Sequence, residues 1–264
     1  MKPTSLEFLS KEVYTFDDLL AIVRLLRSPE GCPWDRAQTH ASVRKNLLEE
    51  AYEVAEGIDR DDAAILREEL GDHLFQAVFH AVIEEERGRF TTTDVLTDIC
   101  RKMIFRHPHI FAGESAKGRE EALDAWEAAK RAEKHQTSAS EAMRALPATL
   151  PALMYAAKMS GKAARVGFTY DTPGEAAEKV TEEWDELAAA KTKEEQAEEY
   201  GDLLFALVNY GRMLGIDAEE ALSFAAKKFL ARFEKAEGSL AAEKGDLAQC
   251  TKKEWISAWD GTKV

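Results

Sequence analysis

The sequence has 264 residues, a length that suits one large domain or two modest ones. Its 35 basic and 49 acidic residues give a formal net charge of −14, which disfavours binding to nucleic-acid backbones and to anionic membrane surfaces. The composition is that of a globular chain, and the low content of glycine (15) and proline (7) disfavours an all-β fold and favours long helices.

The distribution of apolar residues and cysteines bears on the cellular compartment. No run approaches the roughly 20 apolar residues of a membrane-spanning helix, and the first residues lack the apolar stretch of a signal peptide. Cys32, Cys100 and Cys250 lie far apart and form no Cys-x-x-Cys pattern. We therefore expect reduced thiols in a cytoplasmic protein, with neither a disulfide framework nor a zinc site.

In the first half of the chain, apolar residues recur at spacings of three and four, which predicts helices. Thr15 and Asp18 resemble a capping box at the start of the first helix, and the Pro- and Gly-containing segment 28–33 predicts a loop. The predicted helices cover about 15–27, 41–58, 62–87 and 92–106, and one surrounds Trp126.

The periodicity weakens over residues 132–151, which contain Pro147 and Pro151. We place a linker there, between domains at 1–131 and 152–264. In the second domain Thr172, Pro173 and Glu175 predict one helix start, and Asp217 with Glu220 predicts another. The predicted helices cover about 152–165, 173–190, 194–214 and 218–237. No segment alternates convincingly as a strand.

The two halves contain the same ordered set of motifs, which indicates an internal repeat. In each, EExxE is followed by ExxDxLF and then by Lys-x-x-x-Arg, which is Lys102 and Arg106 in one half and Lys228 and Arg232 in the other. The acidic residues of the first copy are Glu49, Glu50, Glu53, Glu69 and Asp72, and those of the second copy are Glu182, Glu183, Glu186, Glu199 and Asp202.

The acidic motifs are expected to bring carboxylates together between paired helices. Residues three and four apart share a helix face, and the short connection between the two motif helices predicts antiparallel neighbours. An all-oxygen ligand set without Cys or paired His suits Mg²⁺ or Mn²⁺. Such a metal typically serves a phosphorylated substrate, whose oxygens Lys228 and Arg232 would hold.

Three other interpretations of the acidic motifs compete with a metal site. A single EExxE in a Glu-rich chain is typical of a solvated surface, but its recurrence and the apolar runs after each ExxD place these helices in a core. A di-iron carboxylate bundle needs Glu-x-x-His, which no His here provides. A helical adaptor with acidic docking faces stays open, although it would not need the paired Lys-x-x-x-Arg.

Three further features are assigned structural roles. His107-Pro108-His109 is interpreted as a helix end rather than a metal site, and Cys32 as a structural residue because no partner His is implied. Trp126, Trp255 and Trp259 are expected to be packing residues. Neither a P-loop nor a Rossmann glycine motif occurs.

Taken together, these motifs resemble the all-α nucleoside triphosphate pyrophosphohydrolase superfamily, and further segments narrow the resemblance to the two-domain bacterial MazG family. Those segments are GCPWD at 31–35, RHPHIF at 106–111, WExxK at 126–130, LPAL at 150–153 and VGF at 166–168. The resemblance covers nearly the whole chain. It implies an all-α fold of two MazG-like four-helix-bundle domains in tandem, intertwined in a homodimer.

The resemblance also implies an activity and a site. The activity is Mg²⁺-dependent hydrolysis of NTPs and dNTPs to the monophosphate and pyrophosphate, in nucleotide-pool housecleaning linked to the starvation response, with the C-terminal copy doing most of the work. Glu182 would orient or deprotonate the attacking water. The expected metal ligands are Glu183, Glu186, Glu199 and Asp202, with Glu50, Glu53, Glu69 and Asp72 in the N-terminal site, and the expected phosphate contacts are Lys179, Lys228, Arg232 and Lys158.

The two copies differ at two positions beside these carboxylates. Lys179 of the second copy corresponds to Asn46 of the first, and Leu203 corresponds to His73. The first copy therefore lacks one expected cation but keeps all five acids. We predict that it binds metal and contributes less turnover. No residue pattern specifies the base or the sugar.

Overall fold

The computed structural model describes residues 8–113, 118–134 and 138–263, and all regular secondary structure in these ranges is helical. The chain forms two compact units, Met1–Lys130 and Arg131–Val264. Within the described ranges, none of the helices is both long and apolar enough to cross a membrane.

The first unit is built around two long helices that pack along each other. Its helices are α1 (Phe16–Arg27), α2 (Pro33–Ala37), α3 (His40–Asp59), α4 (Ala63–Glu86), α5 (Thr92–Arg106) and α6 (Pro108–Phe111), followed by α7 (Arg119–Glu133), which continues past the division. Both α3 and α1 pack on α4. The predicted capping box of Thr15 and Asp18 is confirmed at α1.

The core of the first unit lies where α1, α3 and α4 meet. Its buried residues are Val23, Val43, Val78, Phe79, Val82 and Ile83. Arg27 is buried beside them: its guanidinium lies 4.9 Å from the centre of the Phe79 ring and donates two hydrogen bonds of 2.8 Å to the Glu86 carboxylate. The buried charge of Arg27 is thus compensated by the Glu86 carboxylate.

The second unit repeats the central helix pair. Its helices are α8 (Ala139–Arg144), α9 (Ala152–Ala164), α10 (Pro173–Ala189), α11 (Lys193–Met213), α12 (Ala218–Lys244) and α13 (Lys252–Asp260), with a short 3₁₀ turn at Leu247–Gln249. α10 packs on α11, and α9 packs on α11 as α1 does on α4. The predicted starts are confirmed, because Thr172 caps α10 and Asp217 caps α12.

The helix ends fall within about two residues of the predictions, with one exception. α12 continues seven residues beyond the predicted end at 237, because the side chains of Ala236 and Leu240 are buried and stabilise the additional turns. The helix ends at Gly245, whose φ of 76° is readily accessible to glycine. The helices α2, α6, α8 and α13 were not predicted. α8 lies inside the segment predicted as a linker and packs on α9.

The apolar runs after each ExxD are only partly buried, which corrects the prediction that they lie in the core. Val78, Phe79, Leu203 and Val208 are buried. The residues exposed in the single chain are Leu74, Leu204, Phe205 and Leu207. A helix with apolar residues on more than one face buries only part of them within its own unit.

Candidate active site

The second copy brings three carboxylates together between α10 and α11. Glu183 projects from α10, and Glu199 and Asp202 project from α11. One oxygen from each of the three lies within 4.8 Å of the others. Glu183 is only 6% exposed. Three acidic oxygens this close form the donor set that a hard divalent cation prefers.

The first copy forms the same arrangement between α3 and α4. Glu50, Glu69 and Asp72 place one oxygen each within 4.8 Å of the others. Among the described residues, these two acidic clusters are the groups arranged to hold a metal ion, and His107 and His109 belong to neither. His107 instead contacts the Met103 carbonyl at the end of α5, 2.6 Å from its Nδ1.

Burial and mutual repulsion raise the pKa of carboxyl groups in both clusters. Burial, followed by the charges of Glu186 and Asp202, raises the pKa of Glu199 above its usual range. Burial together with the charge of Asp72 raises the pKa of Glu50, and burial with the charge of Glu53 raises that of Glu69. The ion-free clusters therefore carry an electrostatic cost that a bound cation would remove.

The predicted fourth ligands lie beside the clusters rather than within them. Glu186 and Glu53 are close enough to raise the pKa of Glu199 and Glu69 respectively, but neither belongs to a triad of oxygens within 4.8 Å. Each lies three residues after the α10 or α3 ligand, so it shares that ligand's helix face.

Lys179 lies directly beside the second cluster. Its ammonium is 2.7 Å from a carboxylate oxygen of Glu182 and 2.7 Å from one of Glu183. These two carboxylates raise the pKa of Lys179 and keep it charged. The ammonium therefore offsets part of the acidic charge and holds Glu183 in one orientation. Asn46, at the corresponding place of the first copy, carries no such charge.

A cavity of about 530 Å³ opens next to the second cluster. Lys179, Glu183 and Asp202 form one part of its wall. Its other lining residues are Met143, Met159, Ser160, Ala163, Gly167, Phe168, Thr169, Tyr170, Phe205, Ala206 and Asn209. The volume is within the range of small-molecule sites, and a largely apolar wall with a few polar groups is typical of such sites.

Sequence reasoning did not find Asn209, Thr169 or Tyr170. Asn209 is a lone polar residue in the apolar run of α11, at the position that Phe79 occupies in the first unit when the ExxD motifs are superimposed. That contrast is a signal in the sequence. The two loop residues carry no periodic pattern, and only the fold brings them to the cavity.

The other predicted phosphate contacts are not brought to the second cluster within this chain. Arg232 stacks on Trp259, with its guanidinium carbon 4.1 Å from the ring centre, and its Nε donates to the Thr262 hydroxyl at 3.0 Å. Lys228 is exposed one turn earlier on α12, and Lys158 is exposed on α9. None of these three lines the cavity. The helix α13, which holds Arg232, was not predicted from the sequence.

The predicted packing roles of Trp255 and Trp259 are confirmed. Phe233 stacks on Trp255 with ring centres 5.2 Å apart, and Phe229 packs on Trp259 at 5.0 Å. In the first unit the ammonium of Lys130 lies 4.6 Å from the centre of the Trp126 ring.

Two family models match separate parts of this chain. The MazG nucleotide pyrophosphohydrolase domain matches residues 38–111, which contain the first copy. The phosphoribosyl-ATP pyrophosphohydrolase model matches residues 164–228, which contain the acidic motifs of the second copy. Each copy of the repeat inferred from the motifs is thus matched by a pyrophosphohydrolase family model.

Curated relatives match over most of their length. A protein of Thermotoga maritima named nucleoside triphosphate pyrophosphohydrolase/pyrophosphatase MazG is 44% identical over 84% of this chain and 85% of its own. The nucleoside triphosphate pyrophosphohydrolase of Escherichia coli K12 is also 44% identical, over 94% and 96%. That of Mycobacterium tuberculosis is 32% identical, over 92% and 67%.

Proposed function

Because the chain belongs to the MazG family of nucleotide pyrophosphohydrolases and is a hydrolase with two MazG-like domains in tandem, we propose that it hydrolyses nucleoside triphosphates to the monophosphate and pyrophosphate. The proposal covers both NTPs and dNTPs. It also assigns most of the turnover to the second copy.

One observation carries this assignment. In the second unit, the acidic cluster and a cavity of about 530 Å³ share Glu183 and Asp202 as wall residues. A phosphorylated ligand in the cavity could therefore place its phosphates beside the carboxylates, where a bound cation would bridge the two negatively charged groups. A nucleoside triphosphate has this form, with a flat base at one end and phosphates at the other.

The cluster fits Mg²⁺, and Mn²⁺ as a substitute. Glu183, Glu199 and Asp202 supply hard oxygen donors, and Glu186 lies close enough to complete the set. The cation would neutralise part of the triphosphate charge and stabilise the charge that develops at the α–β linkage. Glu50, Glu69 and Asp72, with Glu53, would hold a second ion in the first unit.

The side chains around the cluster take complementary roles. Glu182, more than half exposed and bonded to Lys179, would orient or deprotonate the attacking water. Lys179 would contact the triphosphate while it holds Glu183. Lys228 and Arg232 do not reach the cluster within this chain, so they would bind the outer phosphates of a triphosphate only where the proposed dimer brings α12 to a cluster. Lys158 is a further candidate at the periphery.

We propose that the protein acts as a homodimer. The helices that hold the acidic clusters also expose large apolar side chains, which soluble monomers rarely leave in contiguous patches. In the second unit these include Trp184 at 62%, Tyr200 at 55%, Leu207 at 44% and Leu204 at 37% exposure. In the cell the activity would serve nucleotide-pool housecleaning in the cytoplasm, with a link to the starvation response.

The test is pyrophosphate release from a panel of NTPs and dNTPs, with Mg²⁺ and with a chelator. We expect metal-dependent release of pyrophosphate rather than orthophosphate. Glu199→Gln should remove this activity, whereas Glu178→Gln, on the exposed part of α10, should retain it. No metal-dependent release from any nucleotide would refute the proposal and favour a helical adaptor.

A further inference from the structure

Asn209 is held by a neighbouring arginine at one end of the cavity. Arg212 lies one turn further along α11, and its Nε and Nη2 donate to the Asn209 side-chain oxygen at 3.1 and 2.9 Å. The Nη2 of Arg212 also donates to the Thr169 hydroxyl at 3.0 Å. A guanidinium only donates hydrogen bonds, so the chemistry itself fixes the oxygen of Asn209 toward Arg212.

This arrangement determines what Asn209 can offer to a ligand. With its oxygen engaged, the amide nitrogen with its two N–H donors is the polar atom left to meet a group in the cavity. Ser160, another polar lining residue, already donates its hydroxyl to the Ala157 carbonyl at 3.1 Å. Asn209 therefore supplies an oriented, uncharged donor in a largely apolar wall.

Asn209 and the metal ligand Asp202 lie on the same side of α11, at a distance that a nucleotide can span. Asp202, Ala206 and Asn209 follow one another at helical spacing on the side of α11 that lines the cavity. Asn209 lies seven positions after Asp202, which is about 10.5 Å along a helix. A nucleotide whose phosphates lie at Asp202 would, over this distance, bring its base to Asn209.

In the first unit, a residue without a hydrogen-bond donor occupies the position that corresponds to Asn209. The corresponding residue, Phe79, is 2% exposed and packs among Val23, Val43 and Val82, while Arg27 stacks on its ring. Its side chain fills the space at this point of the helix pair with apolar atoms. A polar residue at position 209 thus coincides with an open cavity, and an aromatic residue at position 79 coincides with a filled core.

We infer that Asn209 is a specificity-determining residue that donates a hydrogen bond to an acceptor on the nucleobase, a carbonyl oxygen or ring nitrogen, and that Arg212 is the positioning residue that orients it. The inference rests on the proposed function. Asn209 and Arg212 of the second unit would then select the base, whereas Lys179 and the acidic cluster with its cation would bind the phosphates.

The test uses the full-length protein and Asn209→Asp, which replaces the amide donors by an acceptor while keeping a partner for Arg212. KM and kcat are measured for ATP, GTP, CTP and UTP. We expect KM to rise about 10-fold for the preferred base, with a changed order of preference and little change in kcat. Inorganic tripolyphosphate, which has no base, should inhibit both proteins with the same Ki.

Arg212→Lys tests the positioning role and provides a second variant. It should shift the order of preference in the same direction by a smaller factor and leave the tripolyphosphate Ki unchanged. An unchanged KM pattern in Asn209→Asp, or an equal rise in the tripolyphosphate Ki, would overturn the inference. Absence of pyrophosphate release by the wild type from every nucleotide would instead refute the proposed function.

Discussion

The two units contain the same acidic motif on the same pair of helices, but they differ in what lies behind it. In the first unit, Phe79 and its neighbours form a filled apolar core. In the second unit, Asn209 faces a cavity, and Lys179 lies against the carboxylates. The carboxylates alone therefore do not distinguish the two copies. If the proposed function is correct, the more active copy is distinguished by the space for a nucleoside and by the cation beside the carboxylates.

The largest effect on stability should come from the filled core. Phe79→Ala removes a fully buried ring and leaves Arg27 without its stacking partner, so we expect a loss of about 3–5 kcal/mol in the free energy of unfolding. Asn209→Ala, its counterpart, should cost less than about 1.5 kcal/mol. Chemical denaturation of both variants measures the two costs. Equal costs would mean that the two units are packed alike at this position.

The cation beside the second cluster should have the next largest effect. Lys179→Met removes the charge that holds Glu183, and we expect pyrophosphate release to fall about 10- to 100-fold, as is usual when a partner of a metal ligand is lost. The reciprocal change, Asn46→Lys, should raise the residual release of a Glu183→Gln protein by far less than Lys179→Met lowers that of the wild type, because the Phe79 ring still fills the corresponding space in the first unit. A rise of the same size would show that the missing cation alone limits the first copy.

The smallest expected effect is the change in stability with pH and with bound metal, and the two units should respond alike. The raised pKa of Glu199, Glu50 and Glu69 means that the ion-free protein gains stability as pH falls through these values and loses it as pH rises. A cation at ten times its Kd adds about 1.4 kcal/mol, or about 3–6 °C in Tm. Thermal scans should show that Mg²⁺ stabilises more at pH 8 than at pH 5.

Glu199→Gln should remove part of that metal effect, and adding Glu69→Gln should remove most of the rest. A metal effect that is independent of pH, or that survives both changes, would show that the cations bind elsewhere.

The sequence predicts the acidic clusters well because their geometry is local. Residues three apart on a helix share a face, and a three-residue connection brings two helices together, so Glu183, Glu199 and Asp202 meet as predicted. The caps at Thr15, Thr172 and Asp217 are equally local. The helix pair and both triads thus follow from short-range patterns that a single chain displays.

The cavity and the surroundings of Arg232 depend on longer-range packing. α13 is short, and only the tertiary fold brings Trp259 under Arg232. The loop before α10 brings Thr169 to Arg212, an approach that no spacing in the sequence indicates. The apolar run of α11 predicts a core position for residues that the structure leaves exposed, because hydrophobicity alone does not distinguish a core face from an exposed one.

The most direct test of the account compares Glu50→Gln with Glu183→Gln in the full-length protein, with pyrophosphate release from an NTP as the measurement. Both changes neutralise one carboxylate of a triad, at corresponding positions of the two copies. We expect a loss of more than about 100-fold for Glu183→Gln, while Glu50→Gln retains more than about half of the activity. Loss of activity in Glu50→Gln with retention in Glu183→Gln would show that the first copy carries the turnover.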